Sequence, residues 1–147
     1  MYKHILVPVD NSKLSLKALD TAAELAKSLG AKITAVTVSP SYPTIVAGDG
    51  YMVEPIAPSE WDKITARHAE KVRKDVDKRA KAKSVSMQFV AATVDQPYLG
   101  IIETAKKKKC DLIVMASHGR RGLSALLLGS ETTKVLTHSK LPVLVCR

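Results

Sequence analysis

The sequence is poor in aromatic rings. One Phe and one Trp stand among its 147 residues, too few for the stacking platform on which single-stranded nucleic acid is held. Long apolar runs are missing as well. None approaches the roughly 20 residues that a membrane-spanning helix requires, which argues against a membrane partner. The opening stretch, Met1-Tyr-Lys-His-Ile-Leu-Val-Pro-Val-Asp10, passes straight into strand-like sequence. It lacks the apolar core and small-residue cleavage site of a secretory leader. Cysteine is scarce: Cys110 and Cys146 match no metal-ligand spacing. Each flanks or ends an apolar strand, where cysteine serves as a small buried hydrophobe. These absences point to a reducing cytoplasm and to no resident metal site. Acidic residues are few, 14 against 23 basic ones, for a net charge of +9. The excess base is concentrated in Arg67 to Lys83 and in Lys106 to Lys109. Both stretches follow helical patterns whose lysines form a solvated face. The charge therefore predicts non-specific attraction to polyanions at low salt and no specific nucleic-acid binding.

What remains is an ordinary globular composition. Apolar residues make up 46% of the chain, enough for one domain with a single core. Strand and helix patterns alternate along it. Strands are expected at His4–Val9, Lys32–Val38, Val85–Val94, Asp111–Met115 and Pro142–Cys146. Pro8 removes a ladder donor and belongs at its strand's margin. The turn Asp10-Asn11-Ser12 has N-cap chemistry, and Leu16, Leu19, Ala22, Ala23, Ala26 and Leu29 then repeat at helical spacing up to Gly30, a stop residue. A second helix is expected from Pro58, with Ser59 as a cap candidate and Trp61, Ile64, His68, Val72, Val76 and Ala80 along one face. A third starts at Pro97, with Leu99, Ile101, Ile102 and Ala105 inward. The last runs from Ser130 to His138. This alternation argues for an α/β fold: a single-domain, open, parallel five-stranded sheet with helices on both faces, of Rossmann-like kind. Residues 41–59 hold Pro43, Gly48, Gly50, Pro55 and Pro58, and read as a lid, a partner surface or an irregular insertion.

The organising stretch is Met115 to Ser130. A short β-branched run, Asp111-Leu-Ile-Val-Met115, leads into small and polar residues punctuated by Gly119, Gly122 and Gly129. Ser130 then opens a helix, either as its cap or as part of an anion cradle. Glycines let backbone approach a ligand, and a helix N-terminus offers free N–H groups at a positive dipole end. With strand order 3-2-1-4-5, the switch point falls between the first and fourth strands, where open α/β sheets bind ligands. That brings Asp10 opposite the Ala116–Gly119 turn, with Val38 bordering the same crevice. A carboxylate for a ribose diol, an apolar wall for a base and N–H groups for phosphate together form the constellation expected for a nucleotide.

Over essentially its whole length the chain resembles the universal stress protein family, of the small single-domain UspA-like kind with the adenine nucleotide alpha hydrolase-like fold. The marks are Ile5-Leu-Val-Pro-Val-Asp10, Asp111-Leu-Ile-Val-Met115, Ser117-His-Gly119, Leu126-Leu-Leu-Gly-Ser130 and Pro142-Val-Leu-Val145. ATP-binding members carry G-x2-G-x9-G-[S/T]. Here the pattern reads A-x2-G-x9-G-S, with Ala116 in place of the first glycine and Gly119, Gly129 and Ser130 at the remaining positions. Asn11 also stands where a glycine is common in the family, a mild change because Asn tolerates left-handed backbone.

The resemblance implies that Asp10 binds the ribose hydroxyls, beside a wall shaped by Pro8 and Val9. Val38 would present main-chain groups to the adenine edge, and Met115 would pack on the base. Ala116 and Gly119 would approach ribose and phosphate through backbone. Gly129, Ser130 and the Glu131 N–H would hold phosphates, with His118, Arg120 and Arg121 within reach of them. It further implies ATP or AMP as ligand, Mg2+ or Mn2+ bridging the phosphates, and a homodimer paired through residues 142–146 that signals to a protein partner. Two readings stay open at Ala116. With negative φ its backbone still serves the site. If positive φ is required the alanine is strained, and the chain becomes a dimeric interaction protein that does not bind ATP. Catalysis finds little support. No base is positioned for water, so slow ATP hydrolysis is the most to expect. The sequence contains neither a P-loop nor G-x-G-x-x-G. Asp10-Asn-Ser-Lys-Leu-Ser15 lacks the signature of adenylating enzymes, and a phosphoacceptor site using Asp10, Asp95 and Lys140 would need an acidic cluster that is missing.

Overall fold

The first strand, β1 (His4–Pro8), runs through the middle of a sheet, and its residues from His4 to Val7 are buried. Its β-branched and aliphatic side chains have apolar layers to fill above and below. The computed structural model describes residues 1–42, 56–119 and 127–147. Arg120, Arg121 and most of the irregular 41–59 stretch lie outside these residues. Four more strands, β2 (Lys32–Ser39), β3 (Met87–Thr93), β4 (Leu112–Ala116) and β5 (Val143–Cys146), complete a five-stranded sheet in the order β3-β2-β1-β4-β5. Every neighbouring pair is parallel, as crossover helices demand.

The helices are α1 (Lys13–Leu29), α2 (Pro58–Lys83), α3 (Pro97–Lys107) and α4 (Ser130–His138). Strand alternation divides the core in two. Ile5, Val7, Leu112 and Val114 face Leu19 and Ala22 of α1 and Val72 and Val76 of α2. Leu6, Val36, Ile113 and Met115 face Ile101 and Ala105 of α3 and Val135 of α4. Each fully buried aliphatic side chain contributes roughly 1.5–3 kcal/mol, so these two layers dominate stability. Helix α1 begins as the sequence predicts: Ser12 accepts the Ser15 N–H at 3.1 Å, and Gly30 ends it at φ 64°.

Three local expectations are corrected. Ser59 does not cap α2; Ala57 occupies that position and Pro58 the first helical one, where a missing N–H costs nothing. Ser130 does not cap α4 either, because Gly129 is the N-cap and Ser130 the first helical residue. Ala116 belongs to β4 rather than to the turn, held in strand by pairing with Cys146. The second helix also projects beyond the core at its start, where Ile64 is exposed.

Pro8 positions the site. Pairing of β1 with β2 continues to Pro8↔Val36, and the Val9 N–H then donates to the Val36 carbonyl at 2.8 Å. Pairing of β1 with β4 stops at Leu6↔Ile113. Successive N–H groups of a strand point to opposite sides, so the donor that proline lacks would have faced β4. The two central strands are unzipped at their carboxyl ends, which opens the crevice at the topological switch point.

At the opposite end of the sheet, His4 is buried and its Nε2 lies 2.8 Å from the Thr34 hydroxyl. Burial, followed by the charge of Lys32, lowers its pKa below the ordinary 6.5. Because the folded pKa is the lower one, the unfolded chain binds the extra proton. This contribution to stability is whole above pH 6.5 and is lost as pH falls through the lowered folded value. Denaturant melts between pH 7.5 and 5 should therefore show a steeper loss in the wild type than in His4→Gln, with equal slopes contradicting the assignment.

Candidate functional site

Asp10 leaves the carboxyl end of β1 and is held by its own turn. Its Oδ1 accepts the Ser12 N–H at 3.0 Å, and its N–H donates to Ser15 Oγ at 3.2 Å. Ser15 Oγ in turn donates to the Ser12 carbonyl at 3.0 Å. The carboxylate is therefore placed before any ligand arrives. Asn11, at the apex of this turn, has φ 65°, the left-handed backbone that Asn accepts more readily than most residues.

Across the crevice, the segment after β4 comes within contact of Asp10. A Cβ at Gly119 would sit 2.9 Å from Asp10 Oδ2, so a side chain here would push the carboxylate aside. Gly129 closes against the same segment. Its N–H donates to the Ser117 carbonyl at 2.8 Å, and a Cβ would stand 3.2 Å from that oxygen and 3.3 Å from His118 Cα. Two further bonds fix the segment. Ser117 N–H donates to the Cys146 carbonyl at 2.7 Å, and the Thr132 hydroxyl donates to the Ala116 carbonyl at 3.0 Å. The motif glycines thus let the protein pack onto itself and fit Asp10, the 116–119 backbone and the start of α4 into one cluster.

The start of α4 presents the positive end of its helix dipole. The Thr133 N–H donates to the Gly129 carbonyl at 3.0 Å, so the N–H groups of Ser130, Glu131 and Thr132 precede the helical ladder. Ser130 and Gly119 are exposed and Asp10 is half-buried, so the cluster is open to solvent. The Glu131 carboxylate turns aside from this end: Oε2 accepts the Tyr98 N–H at 2.8 Å and Oε1 lies 3.1 Å from Lys134 Nζ. It serves as a cap for α3, a role that the sequence reading missed and that no local spacing signals. His118 Nδ1 lies 3.0 Å from Ser117 Oγ.

Ala116 carries no backbone strain. It is buried in extended strand backbone, and among the described residues positive φ outside glycine is confined to Asn11, Ser84 and Lys109. The first motif position therefore asks for no conformational freedom that alanine lacks. Val38 is half-buried and packs on α3, where a Cβ at Gly100 would come within 2.8 Å of its side chain. Met115 is buried in the layer beneath α3 and α4, and Val9 is buried at the root of the crevice with half-buried Pro8 beside it.

The profile of the universal stress protein family matches residues 1–147, the whole chain. The chain belongs to the universal stress protein family. It is 33% identical to Universal stress protein MJ0531 of Methanocaldococcus jannaschii, covering all of this chain and 83% of that one. With Universal stress protein YxiE of Bacillus subtilis it shares 31% identity over the full length of both. Among solved structures, UspA from Lactobacillus plantarum superposes with a TM-score of 0.78 at 24% identity, covering 99% of this chain and 98% of that one. A universal stress protein in complex with cAMP gives 0.71 at 24%, with 99% and 97% covered. One from Archaeoglobus fulgidus in complex with dAMP gives 0.69 at 20%, with 99% and 98% covered. These structures share the fold of this chain, and two of them hold an adenine mononucleotide, cAMP in one and dAMP in the other.

Proposed function

We propose that this universal stress protein binds an adenine nucleotide, ATP or AMP, in the crevice between the carboxyl ends of β1 and β4. The observation that carries the reading is the convergence of a turn-held carboxylate, Asp10, with Gly119 and the uncapped start of α4. A carboxylate accepts from ribose hydroxyls, and N–H groups at a helix N-terminus take phosphate. Ser130 Oγ adds a donor, and the 3.0 Å contact at His118 Nδ1 leaves the Nε2 edge of that ring to face phosphate. Half-buried Val38 and Pro8 supply apolar surface for the base, backed by buried Val9 and Met115. The cAMP and dAMP complexes named above support this reading. Among the described residues no three metal-ligating side chains gather, so Mg2+ or Mn2+ would enter with the phosphates. Turnover is at most slow, and the protein acts as a switch in the cytoplasm rather than as an enzyme.

The switch is a homodimer joined through residues 142–146, which relays occupancy to a protein partner. Supporting this, β5 lies at a sheet edge and presents Leu144 at 41% exposure. An unpaired edge with an exposed leucine invites cover. Protein purified under native conditions should elute as a dimer and release adenine nucleotide on heating. A folded dimer that contains none and gives no titration heat would favour the other reading, an interaction protein without a nucleotide.

A further inference from the structure

The fold gathers at one end of the sheet a charge that the sequence scatters. Lys3 precedes β1, Lys32 opens β2, and the run Lys106 to Lys109 closes α3 and leads toward β4. Lys27 and Lys81 stand in the last turns of α1 and α2. All are exposed, and among the described residues none of them makes an ion pair. The amino ends of the strands are level. The Lys32 N–H donates to the Lys3 carbonyl at 3.1 Å, the Ile33 N–H to the Ser86 carbonyl at 2.9 Å, and the Asp111 N–H to the His4 carbonyl at 2.9 Å. Residues 30–31, 84–86 and 108–111 are the whole of the connections into β2, β3 and β4, so no loop projects between the lysines. The carboxylates nearby are already engaged. Asp111 accepts the Lys3 and His4 N–H groups at 2.8 and 3.0 Å, and Glu24 pairs with Lys83 at 2.6 Å.

A helix C-terminus attracts a lysine, which accounts for Lys27, Lys81, Lys106 and Lys107 one at a time. It does not account for Lys3, Lys32 and Lys109, which lie outside the helices, nor for the gathering of all of them on one face, where like charges repel. Burial and then the charge of Lys32 depress the pKa of His4 beneath this face; Lys108 adds to the effect and Asp111 opposes it. The outer face of α2 is built otherwise. There Glu70 and Asp77 hold Arg73 at 2.7 and 2.6 Å, and charges of both signs are mixed. A level face of unneutralised lysines fits an extended anionic surface. Its ammonium groups are compact point charges without the planar fork by which arginine reads a phosphate, and no loop stands out to enter the groove of a duplex. We propose that the amino end of the sheet is a docking face for an anionic lipid bilayer, meeting the headgroups through charge alone. No described helix is long and apolar enough to cross a membrane, and docking through lysines needs none. The crevice at the opposite, carboxyl end of the sheet stays open to solvent in the docked protein.

Each lysine held near an anionic leaflet strengthens binding about fivefold. Co-sedimentation of the full chain with phosphatidylglycerol–phosphatidylcholine vesicles, at physiological salt, reads this directly. The combined variant Lys32→Gln, Lys106→Gln, Lys107→Gln and Lys108→Gln should bind more than about 100-fold more weakly than the wild type. The combination Lys63→Gln, Lys71→Gln, Lys74→Gln and Lys78→Gln, on the exposed face of α2, lowers the net charge equally and should cost less than about fivefold, because distant charges are screened. Equal losses in the two variants would reduce the effect to net charge and overturn the proposal. A wild type that ignores the anionic vesicles, or binds pure phosphatidylcholine as well, would also overturn it. Tighter binding to a DNA duplex than to the vesicles at the same salt would make nucleic acid the partner and overturn the lipid reading. Should the first combination melt below the wild type, Lys32→Gln and Lys107→Gln taken singly decide. A loss of about fivefold in each is expected, and unchanged binding in both overturns the assignment.

Discussion

Asp10→Ala is expected to weaken AMP binding by about 10- to 100-fold, the range for hydrogen bonds to a charged group. The carboxylate is fixed by the Ser12 N–H, and Oδ2 lies where a Gly119 Cβ would touch it. A ligand thus meets an acceptor already oriented, with little ordering left to oppose binding. The substitution should leave the fold in place. Among the described residues it removes the turn bond from the Ser12 N–H, while Ser12 still caps α1 through the Ser15 N–H, and that bond accounts for about 0.5–1.5 kcal/mol. Asp10→Asn should restore part of the affinity, because its carbonyl oxygen still accepts from one hydroxyl. Titration calorimetry paired with denaturant melts separates the two effects. Unchanged affinity in a folded Asp10→Ala protein would remove the carboxylate from the site.

Gly129→Val is expected to abolish binding, with a loss above about 100-fold, and to cost about 1–3 kcal/mol of stability through overpacking. The atoms a side chain would meet are backbone: the Ser117 carbonyl at 3.2 Å and His118 Cα at 3.3 Å. Neither swings aside as a flexible side chain would. The start of α4 must then move away from the segment after β4, which breaks the bond from the Gly129 N–H to Ser117 O and strains the one from Thr132 Oγ1 to Ala116 O. The phosphate donors and Asp10 then no longer face one ligand. Gly129→Ala should be milder in both measurements, since a methyl needs only a few tenths of an ångström. Equal affinity in Gly129→Val and the wild type would mean that α4 takes no part in binding.

Much of this was legible in the sequence because local and tertiary signals agreed. The run Ile5-Leu-Val had to be a strand buried on both faces, and α1 carried both its cap, Ser12, and its stop, Gly30. Strand order followed from alternation and the family pattern. For the motif glycines the structure adds a reason that spacing does not carry. Gly119 and Gly129 make room for Asp10 and for the 117–118 backbone, contacts between segments distant in sequence that no spacing reveals. Helices α2 and α4 start where expected, at Pro58 and Ser130, but their caps are Ala57 and Gly129, because Pro and Gly outcompete Ser at these ends. The Glu131 cap on α3 was invisible because it depends on what lies across a gap in space. Arg120 and Arg121, which the family resemblance brings to the phosphates, lie outside the described residues.

The most direct test of the crevice is amide chemical-shift mapping of the isotope-labelled protein during titration with AMP. Saturable shifts concentrated at Asp10, Asn11, Gly119, Ser130 and Glu131, with residues of the β3 edge unmoved, are the predicted result. A protein whose spectrum stays unchanged at millimolar AMP, or shifts only along the lysine-rich faces of α2 and α3, would contradict a nucleotide site between β1 and β4.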